Sequence, residues 1–215
     1  MTIQIENAKK NQHPFIYPYY YEKLDNEDLK EIQEYISNLS DDDYNHNEFE
    51  HDDIKQYRSC EIHYPKTSEF ALFDVFNSML NDKPSDSNEN LLYKIGKKII
   101  CSVNDRYYQY DLDDVFEFQL IKYYEGGNYN WHCDYGISTR TDVVRKLSMT
   151  MQLSDPRDYE GGELQLVDYS NRKQMMDKHQ GRVLVFDSKL PHKVWPVTWG
   201  KRIALVGWAS GPPLK

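Results

Sequence analysis

The sequence predicts an α+β fold, with helices in its first part packed on a core built as a double-stranded β-helix, or jelly roll. Before about residue 107, apolar residues recur at the three- and four-residue spacing of amphipathic helices. After it they tend to alternate with a period of two, as in strands, and the short runs are separated by Gly, Pro and Asp, which favour turns. Helices followed by many short strands are typical of an α+β domain with a jelly-roll core.

Three helices are predicted in the first part. Residues 25–39 form the first, because their apolar residues follow a 3-4-3 spacing behind a polar Asp-Asn pair that suits a cap. Residues 68–80 form the second, which ends before Pro84. Residues 90–104 form the third, although Gly96 and the β-branched run KKIICSV keep a strand open there.

Eight strands are predicted in the second part. They cover residues 107–111, 114–124, 129–134, 145–153, 162–168, 182–187, 192–197 and 201–209. We therefore divide the chain into an N-terminal helical support region, residues 1–106, and a β core, residues 107–215, within one structural domain. A chain of 215 residues with 39% apolar residues is large enough to bury such a core.

Composition and charge limit the kinds of partner and the cellular location that we expect. The chain carries a net charge of −9, which gives no general attraction to polyanions, so no nucleic-acid partner is expected. No apolar run reaches the length of a membrane span, and the N-terminus MTIQIENAKKNQ lacks the pattern of a signal peptide. We expect a cytoplasmic enzyme, or one in the host cytoplasm if the Asn-, Ile-, Lys- and Tyr-rich composition reflects an AT-rich phage genome.

The three cysteines, Cys60, Cys101 and Cys133, are odd in number and form no C-x-x-C pair. This pattern favours neither a disulfide framework nor a zinc ribbon. Reduced thiols suit a reducing compartment, which also helps to keep iron ferrous.

A candidate metal site is spread over sixty positions of the second part. His132 and Asp134 lie in WHCDYG, and His192 lies in KLPHKVW. Two imidazoles and one carboxylate are the ligands that hold a non-haem Fe(II) on one face and leave its other positions open. Residues i and i+2 of a strand point to the same side, so His132 and Asp134 can reach one metal while Cys133 points away.

A second His-x-Asp triplet, His51-Asp52-Asp53, lies in DDDYNHNEFEHDD. This stretch is dominated by acidic and amide side chains, and we interpret it as a solvated acidic loop. It lacks the flanking strand-like runs, the second His and the following Arg that surround His132.

Three longer strings resemble a known family: YYEGGNYNWHCD, RKLSMTMQLSDPRDYEGGELQLVD and GRVLVFDSKLPHKVWPVTWGKRIALVGW. They are similar to the prolyl 4-hydroxylase-like branch of the 2-oxoglutarate and Fe(II)-dependent oxygenases, in particular to bacterial and phage PKHD-type hydroxylases. The resemblance covers about residues 114 to 210. Its most specific parts are the aromatic strand before His-x-Asp, the LSDP and GGEL segments, and the Arg ten residues after the distal His.

The resemblance implies a role for each site residue. His132, Asp134 and His192 would bind Fe(II), Arg202 would bind the far carboxylate of 2-oxoglutarate, and Tyr124 would form a hydrogen bond near that co-substrate. Arg202 stands where the collagen-type prolyl enzymes carry Lys, which leaves proline open as the target. A planar guanidinium can grip a carboxylate with two parallel hydrogen bonds.

The activity implied is hydroxylation of an unactivated C–H bond by a 2-oxoglutarate-dependent dioxygenase. The substrate would be a prolyl- or lysyl-type side chain of a peptide or protein, or an amino acid, with O2 consumed, succinate and CO2 released, and L-ascorbic acid as reductant. The loops at residues 135–144 and 169–180 are candidates for substrate choice. Trp131, Trp195 and Trp208 are candidates for either the pocket or the core.

Two other classes stay open. A nucleic-acid demethylase of the same superfamily carries a pair of arginines six residues apart, whereas the residue six positions after Arg202 is Trp208. A non-catalytic jelly-roll binding module would be marked by a missing ligand, and none is missing. A zinc hydrolase is disfavoured because the chain has no H-E-x-x-H motif.

Overall fold

The computed structural model describes residues 18–51, 54–63, 91–136 and 143–213. Within these residues the helices are α1 (Asn26–Ser37) and α2 (Leu91–Val103), and the strands are β1 (Tyr19–Lys23), β2 (Asn45–His51), β3 (Ile54–His63), β4 (Phe116–Tyr123), β5 (Asn128–His132), β6 (Val144–Gln152), β7 (Tyr159–Gly161), β8 (Leu164–Val167), β9 (Lys173–Met175), β10 (Arg182–Asp187), β11 (His192–Val194), β12 (Val197–Gly200) and β13 (Arg202–Gly211).

Helix α1 begins where the polar pair predicted it. The Asp25 side chain accepts a hydrogen bond from the backbone N–H of Asp28 at 2.7 Å, which satisfies one of the N–H groups that a helix leaves unpaired. Ile32 is fully buried on the inner face. The helix predicted at 25–39 is thus confirmed, and the helix predicted at 68–80 lies outside the described residues.

Helix α2 settles the alternative left open at residues 90–104 in favour of a helix. Its buried face includes Leu92, Ile99 and Val103, which belong to one core cluster with residues of α1 and of the sheet. Gly96 lies so close to the ring of Phe118 that an added Cβ would stand 2.3 Å from it. The residue without a side chain therefore permits the close approach of the helix to β4.

The strand predicted at 107–111 is wrong. Residues Asn104–Tyr108 continue α2 as a π-helical turn, and the chain leaves it through Gln109, whose φ is 53°. The side chain of Asn104 bonds to both backbone groups of Tyr110 and fixes this exit. The tyrosines that suggested a strand pack instead on the N-terminal strand, where Tyr107 stacks on Tyr20 with 3.9 Å between ring centroids.

The strands form a curled antiparallel sheet in the order β1-β10-β6-β13-β4-β3-β5-β11-β8-β9, with β2 on β3 and a separate β7–β12 pair. Strand β3 joins two parts of this sheet: a larger half, β1-β10-β6-β13-β4, and a smaller half, β5-β11-β8-β9. Its Glu61–His63 end pairs with β4, and its Arg58–Ser59 part pairs with β5. This topology is consistent with the jelly roll that the sequence predicts.

Side chains alternate along each strand, and in the larger half of the sheet the side chains on both faces are buried. In β10, Val183 and Val185 face the cluster that includes the helices, whereas Leu184 and Phe186 face a second cluster inside the curl. The interior cluster also contains Leu166 of the smaller half. The candidate site lies on this interior side.

The described residues of the first part of the chain form strands as well as helices. Besides α1 and α2 it contributes β1, β2 and β3 to the sheet, so strands occur on both sides of residue 106. The backbone around His51 belongs to the β2–β3 hairpin and not to a loop. Backbone hydrogen bonds hold β2 and β3 together. The sequence did not predict the hairpin, because the polar residues around His51 show no alternation of apolar residues. No helix of the described part is long and apolar enough to cross a membrane.

Candidate metal centre

His132 and His192 face each other across two adjacent strands. They are Cα partners in the antiparallel β5–β11 ladder, and their ring centroids lie 4.1 Å apart. Asp134 lies two residues beyond the end of β5. Its backbone N–H donates to the carbonyl of Ser188 at 3.0 Å, which ties this segment to the turn that precedes β11.

The three side chains present their ligand atoms to one point. Nε2 of His132 lies 3.6 Å from Oδ1 of Asp134, and Nε2 of His192 lies 3.5 Å from Oδ2. All three ligand atoms lie within 4.8 Å of one another. This spacing suits three ligands on one face of a metal ion.

Both imidazoles are oriented by backbone carbonyls. Nδ1 of His132 lies 2.7 Å from the carbonyl oxygen of Asn130, and Nδ1 of His192 lies 2.9 Å from that of Leu190. A carbonyl can only accept, so each Nδ1 carries the proton and each Nε2 presents its lone pair to the centre. The donor set therefore fits a metal ion of the Fe(II) type.

Asp134 is held by two donors on one oxygen. Its Oδ2 accepts from the indole N–H of Trp208 at 2.7 Å and from the hydroxyl of Ser148 at 2.8 Å. Ser148 Oγ lies 2.8 Å from Ser188 Oγ, which extends the network to the turn before β11. The carboxylate is thus fixed in orientation before any metal binds.

The electrostatic environment keeps the ligands in their metal-binding forms. Burial, followed by the nearby His192, lowers the pKa of His132 to about 3. Burial raises the pKa of Asp134, but the two imidazoles and the bonds from Trp208 and Ser148 outweigh it, so this pKa is lowered overall. At neutral pH His132 is neutral and Asp134 is charged.

Arg202 is a buried cation that no carboxylate pairs with in the described part of the chain. It is 2% exposed, and its Nη2 donates to Oε1 of Gln152 at 3.0 Å. Its Nε has no hydrogen-bond partner there, and its guanidinium lies 5.3 Å from the ring centroid of Tyr123. A buried charge is costly unless it is paired, so this position fits the carboxylate of a ligand.

One cavity joins the metal centre to Arg202. Its walls include all three candidate ligands, Arg202, Tyr123 and Thr150. The metal position and the guanidinium thus face the same interior space. The structure therefore brings together four of the five residues that the sequence singled out.

Tyr124 is the fifth, and the structure places it outside this cavity. It follows the end of β4 and is 41% exposed, and partial burial, followed by the nearby Glu61, raises its pKa. The preceding residue, Tyr123, is buried and lines the cavity. Alternation along β4 puts Tyr123 on the interior side with Ile121, a signal that was present in the sequence.

Sequence reasoning also missed the residues that orient the ligands. Ser148 and Gln152 sit on β6, and their roles depend on which strands become neighbours. Among the tryptophans, Trp208 lines the cavity, while Trp195 is exposed. The candidate loop at residues 169–180 contains strand β9, and most of the loop at 135–144 lies outside the described residues.

The chain is similar in sequence to known oxygenases. Residues 118–210 match the model of the 2OG-Fe(II) oxygenase superfamily. A PKHD-type hydroxylase of Idiomarina loihiensis is 33% identical over 149 residues, which cover 67% of this chain and 64% of that protein. A PKHD-type hydroxylase of Gloeothece citriformis is 36% identical over 96 residues, which cover 45% of this chain and 43% of that protein. The chain thus matches less than two thirds of the length of these relatives.

The fold is shared with solved prolyl hydroxylases. A Pseudomonas putida prolyl-4-hydroxylase superposes with a TM-score of 0.61 at 19% identity, over 91% of this chain and 93% of that one. A prolyl hydroxylase of Trichoplax adhaerens, solved with a hypoxia-inducible-factor peptide fragment, superposes with a TM-score of 0.58 at 18% identity, over 89% and 83% of the two chains. At this identity the likeness concerns the fold.

Proposed function

We propose that this chain, whose residues 118–210 match the model of the 2OG-Fe(II) oxygenase superfamily, is an Fe(II)- and 2-oxoglutarate-dependent dioxygenase. It hydroxylates an unactivated C–H bond, most simply in a prolyl- or lysyl-type side chain of a peptide or protein, and releases succinate and CO2. The observation that carries the proposal is a single cavity with two His and one Asp at one position and an uncompensated buried Arg at another.

The protein's part in the reaction begins with the three ligands. His132, Asp134 and His192 would hold Fe(II) on one face, and the bound ion would supply activation of O2 at its open positions. The carbonyl bonds at Nδ1 and the two donors at Asp134 keep the ligand atoms in place. Little reorganisation is then needed when the ion binds.

Arg202 would anchor the co-substrate. A carboxylate that reached it would gain a charge-assisted hydrogen bond from the unpartnered Nε, in an interior position that excludes water. Gln152 holds one end of the guanidinium, and Tyr123 packs beside it. The 2-oxo acid end of 2-oxoglutarate would then point toward the metal ligands.

A peptide substrate is supported by the Trichoplax adhaerens neighbour, which was solved with a peptide fragment. The demethylase alternative is disfavoured. Trp208 occupies the position of the second arginine of the demethylase pattern, and its indole N–H donates to Asp134. Ascorbate as reductant and a cytoplasmic location complete the proposal. The described cysteines, Cys60, Cys101 and Cys133, are all unpaired, in keeping with a reducing compartment.

The test is anaerobic addition of Fe(II) and then 2-oxoglutarate to the purified protein, followed by visible spectroscopy. A charge-transfer band on addition of 2-oxoglutarate supports chelation at the metal. Its absence, with no 2-oxoglutarate-dependent O2 consumption, would favour a jelly-roll module without this activity.

A further inference from the structure

A second guanidinium lines the same cavity. Arg58 of β3 lies 4.5 Å from the ring centroid of Tyr129, which stacks on His132 with 3.6 Å between centroids. Its Nη2 donates to Oε1 of Gln119 at 3.2 Å, while its Nε is shielded from solvent and has no hydrogen-bond partner in the described residues. No described Asp or Glu forms an ion pair with it.

Arg58 and Arg202 line one cavity, but each makes its side-chain hydrogen bond to a different glutamine, Gln119 for Arg58 and Gln152 for Arg202. In the β4–β13 ladder Tyr123 pairs with Arg202, whereas Gln119 pairs with Val206. Four residues along a strand correspond to about 13 Å, so the partner of Arg58 lies well along the strand from Arg202. Gln119 is on the side of Trp208, the residue that holds Asp134. Arg58 therefore lies beside Tyr129, the residue that stacks on His132, and it also interacts electrostatically with Tyr123, which packs beside Arg202.

Among the residues that the structure describes, the charges of the loaded site leave Arg58 without a counter-ion. A divalent cation and a dicarboxylate together with Asp134 and Arg202 are formally neutral. The positive charge of Arg58 is then in excess, on a half-buried side chain whose Nε is shielded from solvent, where an unpaired charge is less well solvated than at the surface. A neutral peptide carbonyl would accept its N–H groups but would not compensate the charge.

We infer that Arg58 binds a carboxylate of the primary substrate, so that the molecule hydroxylated carries a free carboxylate close to the reacting carbon. This inference rests on the proposed function and narrows its substrate class. It favours a free amino acid, or the C-terminal residue of a peptide, over a residue inside a chain. The bidentate guanidinium then sets which carbon faces the metal.

The test uses matched pairs of acids and amides. The protein is loaded anaerobically with Mn(II) and 2-oxoglutarate, and the dissociation constants of L-proline, L-lysine and glycyl-L-proline are measured by calorimetry beside those of their C-terminal carboxamides. We expect at least one acid to bind about 30-fold or more tightly than its amide, the lower end of the effect for a buried charge pair.

Variants assign the preference to one residue. Arg58→Gln should abolish the preference for the acid and leave 2-oxoglutarate affinity within about threefold of the wild type, while Arg58→Lys should restore part of the preference. Arg157→Gln is the matched control, since Arg157 is an exposed arginine paired with Asp155. A residue that merely supported Tyr129 would change acid and amide binding equally.

Three results would overturn the inference. One is that no acid in the set binds more tightly than its amide. Another is an undiminished preference in Arg58→Gln. The third is a loss of 2-oxoglutarate affinity in Arg58→Gln as large as in Arg202→Ala, which would assign Arg58 to the co-substrate. Failure of 2-oxoglutarate to bind the wild type at all is a separate result, because it contradicts the proposed function itself.

Discussion

The indole N–H of Trp208 donates to Oδ2 of Asp134 at 2.7 Å, across 74 residues of sequence. Trp208 lies on β13, which also begins with Arg202, so one strand carries both the residue that orients the candidate ligand Asp134 and the buried Arg202. The position of Asp134 is thereby tied to the strand that positions Arg202.

Removal of the donors to Asp134 should weaken metal binding without removing a ligand. We expect Trp208→Phe and Ser148→Ala each to reduce metal affinity by about 10- to 100-fold, the usual effect of losing a group that orients a ligand. Titration with Co(II), followed by its visible spectrum, measures this. Trp199→Phe is the control, because Trp199 is exposed, and an equal loss there would contradict the assignment.

Loss of any ligand should abolish turnover. We expect His132→Ala, Asp134→Ala and His192→Ala each to eliminate 2-oxoglutarate-dependent O2 consumption while circular dichroism shows the fold largely retained, since an open site needs all three ligands. His51→Ala, in the other His-x-Asp triplet, should retain activity. Loss of iron in His51→Ala but not in His132→Ala would refute the ligand assignment.

Arg202 should determine co-substrate affinity. Arg202→Lys should weaken 2-oxoglutarate binding although the charge is kept, because an ammonium cannot reproduce two parallel hydrogen bonds, and Arg202→Ala should weaken it further. Metal affinity should change little in either variant. Calorimetry that showed unaltered 2-oxoglutarate affinity in Arg202→Ala would remove this residue from the site.

The two adjacent tyrosines of YYEGG should contribute differently to 2-oxoglutarate binding. Tyr123 is buried against Arg202 in the cavity, whereas Tyr124 is exposed. We expect Tyr123→Phe to weaken 2-oxoglutarate binding by about fivefold, the value of one typical hydrogen bond, and Tyr124→Phe to leave it unchanged. If Tyr124→Phe weakened 2-oxoglutarate binding and Tyr123→Phe did not, the co-substrate role would belong to Tyr124.

The substrate should not be a nucleic acid. With a net charge of −9, we expect no appreciable binding to DNA or RNA at physiological salt. Mass spectrometry after incubation with Fe(II), 2-oxoglutarate and ascorbate should show addition of one oxygen atom to a peptide or amino acid and no change in methylated oligonucleotides. Demethylation of the oligonucleotides with no change in the peptides would favour a nucleic-acid demethylase over a peptide or amino-acid hydroxylase.

The sequence by itself indicated the chemistry of this protein. The His-x-Asp triplet, the distal His and the following Arg are local patterns whose side-chain types predict a metal site and an anion site. The amphipathic helices were also readable, because apolar spacing reports directly on which face is buried. The β2–β3 hairpin was missed, since its polar residues carry no such spacing, and the π-helical turn at Asn104–Tyr108 was mistaken for a strand.

Only the tertiary structure decided which residues meet. His132 and His192 become Cα partners because β5 and β11 are neighbours in the curled sheet, an order that no local pattern encodes. The same strand order brings Trp208 to Asp134, Gln152 to Arg202 and Arg58 to Tyr129. Local sequence sets the type of each side chain and the face it points to, whereas contacts between distant segments depend on how the whole sheet closes around its core.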